Sequence, residues 1–195
     1  MTSAPRVVVA APGTDVNRLV APIVTAFSSD PFVRWLLPDA ARFLAHFAAL
    51  ARSNAAIAVG CGAARHTDDF RAAAVWLPAA VETSLEARKA FVQGIPEGRR
   101  ESAFAVFDRM SAGHPTEPAW HLHLLGVDPP LQGAGYGSAL LEATLRELDA
   151  SHVAAFLEST SPGSRRLYER HGFQATDEIQ LADSPPIWPM LRSAR

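Results

Sequence analysis

The spacing of apolar positions changes several times along this chain, and each change marks an element. Residues 6–10 form a short apolar run that predicts a first strand, ended by Pro12-Gly13. Asp15 then stands as an N-cap before Val16, Leu19, Val20, Ile23, Val24 and Phe27, a stripe at helical spacing. Asp30-Pro31 opens a second short helix ending near Pro38, and Phe43, Leu44, Phe47 and Leu50 put one apolar side on a helix over 39–53. The apolar runs 55–59 and 71–77 flank a polar stretch at 64–69 and predict an antiparallel hairpin closed before Pro78. Helical stretches follow at 83–92 and 96–110, and Pro115 and Pro118 mark a loop.

The second half is patterned more sharply. Ala119–Val127 is the most strand-like segment of the chain. From 137 to 149, Leu140, Leu141, Leu145 and Leu148 share one helical face, while Glu142, Arg146, Glu147 and Asp149 share the other. A buried strand at 153–157, a short helix at 164–170, Gly172 as its C-terminal cap, a strand from Phe173 and a last strand at 187–191 complete the series. There is no repeat, low-complexity tract or linker, so one domain is expected over 1–195.

Composition narrows the chemistry. A chain of 195 residues can bury its core without staples, and a net charge of -2 gives no reason to expect nucleic acid or a membrane surface as a partner. Cys61 is the only cysteine, which excludes an intrachain disulfide and a cysteine-based zinc site. The apolar run 7–11 is too short for a membrane span and lacks the basic start of a signal peptide, so a cytoplasmic protein is expected.

One loop stands out. Gln132-Gly133-Ala134-Gly135-Tyr136-Gly137 lies between a strand and a helix, where converging main-chain N–H groups and the helix dipole suit a phosphate. A tight turn with helix-packing glycines is the plain alternative. A dinucleotide-binding fold fits poorly: Asp128-Pro129-Pro130-Leu131-Gln132 separates strand from glycines, Ser138 stands where a third glycine belongs, and little chain follows Glu158. His121 and His123 are two apart on a strand and share a face about 7 Å apart, a spacing suited to a proton relay. They have no obvious third ligand at short spacing, so no metal is expected. Glu158, at the end of a buried strand, is an alternative base acting through water, with its pKa raised by burial.

Together these residues resemble the GCN5-related N-acetyltransferases, whose pyrophosphate loop reads Gln/Arg-x-x-Gly-x-Gly/Ala. The resemblance extends to Leu124-Leu125-Gly126-Val127-Asp128-Pro129, to Leu157-Glu158-Ser159-Thr160 and to Leu167-Tyr168-Glu169-Arg170-His171-Gly172-Phe173. Glu117-Pro118-Ala119-Trp120 and Ala73-Ala74-Val75-Trp76 resemble the puromycin N-acetyltransferase branch, and His121-x-His123 resembles the arylalkylamine N-acetyltransferases. The resemblance implies an α/β (α+β) fold with a mixed, mostly antiparallel sheet of about seven strands, flanked by helices and splayed between its fourth and fifth strands. It implies acetyl-CoA as cofactor, held by Gln132, Gly133, Ala134, Gly135, Tyr136, Gly137, Ser138 and Ser164, with main-chain contacts at Leu125 and Val127. It implies Tyr168 as the acid for the departing thiolate, beside the base candidates His121, His123 and Glu158.

Two departures matter: Ala134 stands where many members carry Arg or Lys, and Ser164 where many carry Asn, with Arg165 or Arg166 available to compensate. Phe27, Asp30, Phe32, Trp35 and Trp76 are the candidates for binding the acceptor, which is expected to be a small-molecule amine, as in detoxification or antibiotic modification. A protein lysine or N-terminal acetyltransferase and a non-catalytic acyl-CoA sensor are the alternatives. A monomer or a homodimer is expected.

Overall fold

Side-chain caps set where the first helices begin. The computed structural model describes residues 5–195, so the first four positions of the expected 1–195 domain lie outside it. After β1 (Val7–Val9) comes α1 (Val16–Phe27), closed at its start by Asp15, whose carboxylate accepts from the N–H groups of Asn17 and Arg18. Asp30 caps α2 (Pro31–Leu36) through the Val33 N–H, with Pro31 at a position where its missing donor is not needed. Asp39 caps the next run: α3 (Ala40–Arg42), a π-helical turn at Phe43–Phe47, and α4 (Ala48–Gly60).

Here the structure corrects the expected hairpin. Residues 55–59 are the end of α4, because the alanine-rich segment favours helix and buries Ala51, Ala55 and Ala58, spaced at helical intervals, with no exposed surface. The π turn shifts the helical phase, which leaves Leu44 exposed while Phe43 and Phe47 are buried. Ala40–Gly60 is long and apolar enough to cross a membrane by composition, but its alanine face packs into the domain interior. The hairpin's first strand is instead the polar stretch, β2 (Ala64–Thr67), followed by β3 (Ala72–Leu77). β2 tolerates burial because most of its polar groups have partners: Arg65 pairs with Glu147 at 2.5 Å, though its Nε has none, and the Thr67 hydroxyl donates to Asp69.

Then follow α5 (Leu85–Gly94), α6 (Glu97–Ala112), β4 (Ala119–Val127), α7 (Tyr136–Ala150), β5 (Ala154–Ser159), α8 (Pro162–Arg170), β6 (Gln174–Ala175) and β7 (Trp188–Arg192). The sheet has seven strands in the order β1-β2-β3-β4-β5-β7-β6. Among the described residues only β4 and β5 run parallel. Helices cover both faces. A Cβ on Gly126 would lie 2.3 Å from the Ile23 Cα, so the missing side chain lets α1 lie directly on β4. The neighbouring Leu125 and Val127 face Gly137 of α7 instead.

The register of β4 explains the splay. Val75 pairs with Leu124 and Trp76 with Leu122, so His123 is an extra residue in β4, a bulge that bends the strand. On the other edge, pairing with β5 ends at Leu122–Leu157. Beyond the bulge the two strands part, as expected between the fourth and fifth strands.

Candidate active site

Where β4 and β5 part, a cleft of about 2020 Å³ opens, walled by α2, α5 and α6 on one side and by the glycine loop and α8 on the other. The loop forms because two of its glycines adopt left-handed backbone, Gly133 at φ 79° and Gly135 at φ 91°. Gly135 is the N-cap of α7, and the first bond inside that helix runs from the Ala139 N–H to the Gly135 carbonyl at 3.0 Å. The N–H groups of Tyr136, Gly137 and Ser138 therefore form an open helix start. A Cβ on Gly135 would meet nothing within 4 Å, which leaves room for a ligand at that point. The N–H groups of Gln132 and Ala134 are already bonded to Pro129 and Leu131, so fewer main-chain donors are free than the sequence suggests.

Side chains of the loop do different work. Gln132 donates from Nε2 to the Val127 carbonyl at 3.2 Å, tying the loop to the end of β4. Ser138 pairs with His171 at 3.0 Å. Ser164 joins the Ser159 and Ser161 hydroxyls at 2.8 and 2.9 Å and lines the cleft. Tyr136 turns away from the cleft toward Asp69, and Ala134 is exposed and off its wall. Of the two arginines expected to compensate, Arg166 lines the cleft, whereas Arg165 pairs with Glu169 at 2.9 Å and lies over Trp188.

Across the splay, titratable groups converge. The His121 and His123 rings are 4.1 Å apart, closer than strand spacing alone provides, and both line the cleft. His121 Nε2 meets one Glu158 oxygen at 2.6 Å and His114 Nε2 meets the other at 3.0 Å. Burial alone would raise the Glu158 pKa, as the sequence suggests, but the two imidazoles outweigh it and hold the carboxyl at about 2. Glu158 is thus a fixed anion that orients imidazoles and is a weak base. The His114 pKa is raised, first by its hydrogen bond to Glu158. Burial, then repulsion from His121, lowers His123 to about 3, so it stays neutral near pH 7. Sequence reasoning missed His114, which follows α6 in a proline-marked loop with no periodicity to place it.

Tyr168 also lines the cleft, and burial, with a further push from the Asp30 carboxylate, raises its pKa well above the usual phenol value. Phe27, Asp30 and Phe32 line the cleft. Both Asp30 oxygens are engaged, by the Val33 N–H and the Thr160 hydroxyl, and burial raises its pKa. Trp35 and Trp76 are not on the cleft wall. Trp76 is fully buried in β3, and Trp35 is a core residue stacked on Phe32 with Arg99 over its ring. Aromatic surface at helical or strand spacing serves the core before it serves a ligand.

Comparison with known proteins points the same way. The family profile described as "Acetyltransferase (GNAT) domain" matches residues 72–193. Mycothiol acetyltransferase of Acidothermus cellulolyticus is 37% identical over 86 residues, an alignment covering 43% of this chain and 24% of that protein. The chain thus spans about a quarter of that relative's length. Among solved structures, a Corynebacterium glutamicum protein described as histone acetyltransferase HPA2 and related acetyltransferase shares the fold with a TM-score of 0.68 and 24% identity, over 99% of this chain and 98% of that one. Arylalkylamine N-acetyltransferase 2 from Aedes aegypti also gives 0.68, at 12% identity, over 99% of this chain and all (100%) of that one.

Proposed function

The chain belongs to the acetyltransferase (GNAT) domain family, and from that premise we propose that it moves an acetyl group from acetyl-CoA to the primary amine of a small molecule, by direct attack in a ternary complex. The observation that carries this reading is the meeting, in one cleft, of an open helix start and a histidine–glutamate cluster. Acetyl-CoA, when bound, supplies the acyl group as a thioester open to attack by an amine. Gly133, Gly135 and the first N–H groups of α7 suit its pyrophosphate, and the edge of β4 beyond Leu122, at Leu125 and Val127, is free of β5 to pair with an extended amide chain.

His121 takes the proton that an ammonium substrate must lose, with Glu158 fixing its ring and stabilising the imidazolium. His123 stays neutral beside it, its ring 4.1 Å from that of His121, where it supports the His121 imidazolium without itself holding the proton. Tyr168, whose phenol burial keeps protonated, donates a hydrogen bond to the departing sulfur and gives it a proton as the thiolate forms. The walls formed by Phe27, Phe32 and α6 favour an acceptor with apolar bulk, and the names of its mycothiol and arylalkylamine relatives fit a small amine.

A thiol-release screen with acetyl-CoA across arylalkylamines, aminonucleosides, aminoglycosides and lysine peptides tests this. Release with a small amine is the expected result. Release with peptides alone would replace the small-molecule reading, and CoA binding without release from any amine would make the chain a sensor.

A further inference from the structure

His114, His121 and Glu158 come from three separate places, the loop after α6, β4 and β5. Their ligand atoms nevertheless all lie within 4.8 Å of one another, and no other such group of His, Cys, Asp or Glu occurs among the described residues. Both Nε2 atoms face the same carboxylate, at 3.0 and 2.6 Å. Two imidazoles and one carboxylate form the protein ligand set of an open zinc site, in which a fourth position is left to water or substrate. Around a tetrahedral ion with bonds of about 2.0–2.1 Å, ligand atoms sit roughly 3.3 Å apart. The observed cluster reaches that spacing with small side-chain shifts. The absence of a third ligand near His121 and His123 in sequence is no obstacle, because the fold brings His114 and Glu158 from a distance.

We propose that His114, His121 and Glu158 form a binding site for a divalent late first-row cation, zinc foremost, with its open position toward the cleft. Zinc also blocks acetyl transfer there, because it takes His121 Nε2 and Glu158 out of the hydrogen bond that supports His121 as a base, and a zinc-bound imidazole accepts a proton far less readily at Nδ1. This second part rests on the proposed function, whereas metal binding does not.

The test uses the full chain, stripped with a chelator. Zinc is titrated by calorimetry, and cobalt by its visible absorption, which reports imidazole and carboxylate ligation. One ion per chain is expected. His114→Ala removes one ligand and leaves the His121–Glu158 pair in place, so its affinity should fall by more than the roughly 10–100-fold that loss of an outer partner costs. His152→Asn, outside the cluster, should bind as the wild type does. Zinc should raise the melting temperature of the wild type and not that of His114→Ala.

Circular dichroism checks that His114→Ala is folded. If it is not, His114→Gln, which keeps a hydrogen-bonding group beside Glu158, carries the same comparison. No stoichiometric binding by the wild type, or equal binding by folded His114 variants, would overturn the site. Zinc bound at the site without slowing thiol release would overturn the inhibitory part alone. If no amine is acetylated at all, calorimetry and cobalt absorption still decide whether the site exists.

Discussion

The two walls of the cleft are built on different principles. On the loop side, the groups suited to a ligand belong to the main chain: Gly133 and Gly135 in left-handed backbone, and the open first turn of α7. On the opposite side and at the splay they are side chains, the aromatics of α1, α2 and α6 and the cluster of His114, His121, His123 and Glu158. A main-chain cradle depends on where glycines fall and accepts almost any residue between them. A side-chain wall depends on every residue and on partners distant in sequence. That contrast ties phosphate binding to the positions of glycines, and acceptor choice to the individual side chains of the opposite wall.

The largest effect should come from breaking the cradle. Gly135→Val forces a β-branched residue into left-handed backbone and fills the open space in front of the helix start. Loss of two charge-assisted hydrogen bonds costs about 4 kcal/mol, so CoA affinity should drop roughly 1000-fold by calorimetry. Unchanged affinity in a folded variant would remove the loop from the cofactor site.

Tyr168→Phe comes next and should lower kcat about 100-fold, the scale of a general acid, with a smaller change in the KM for acetyl-CoA. Equal turnover under chemistry-limited conditions would strike Tyr168 from the mechanism.

A third effect is on stability. His123 has a folded pKa of about 3, depressed from 6.5. The folded state therefore binds fewer protons than the unfolded chain, and the stability this provides is full above pH 6.5 and is lost as pH falls toward 3. The slope is up to about 1.4 kcal/mol per pH unit. His114 has the opposite sign: its pKa is raised, so its contribution is present below 6.5 and fades as pH rises through the folded value. Melting curves of His123→Gln should fall less steeply on acidification than those of the wild type; parallel curves would mean that His123 is not buried in neutral form.

The smallest effect sharpens the distinction between wall and core. Trp76→Phe should leave the acceptor KM within about twofold, because Trp76 does not reach the cleft, and its stability cost is offset by removal of a buried indole N–H without a partner. Phe32→Ala, on the cleft wall, should raise the same KM. If the two variants behave alike, the acceptor does not lie against α2.

The same contrast sets what was legible in the sequence. Gly133 and Gly135 could be read because left-handed backbone between strand and helix is a local reason for glycine, and the stripe Leu140, Leu141, Leu145 and Leu148 because one helical face is a local pattern. His114 could not, since only the approach of an α6 loop to β5 gives it a partner. The depressed pKa of Glu158 was missed for the same reason: burial is visible in the run around it, but the two imidazoles that outweigh burial arrive through tertiary structure. The 55–59 run illustrates the limit of periodicity, since a short apolar segment fits strand and helix equally until its neighbours decide. β2 illustrates the converse, a polar strand buried because Glu147 of α7 meets Arg65.

The central claim is that one wall binds the cofactor while the side-chain cluster at the splay moves the proton. It is tested most directly by measuring CoA affinity and the pH profile of kcat/KM on the same preparations of wild type, His121→Gln and Glu158→Gln. His121→Gln should keep its CoA affinity, lose about 100-fold in kcat/KM near neutral pH, and recover in part at high pH, where more free amine is present. A wild-type profile in His121→Gln, with the pH limb lost only in Glu158→Gln, would contradict that claim.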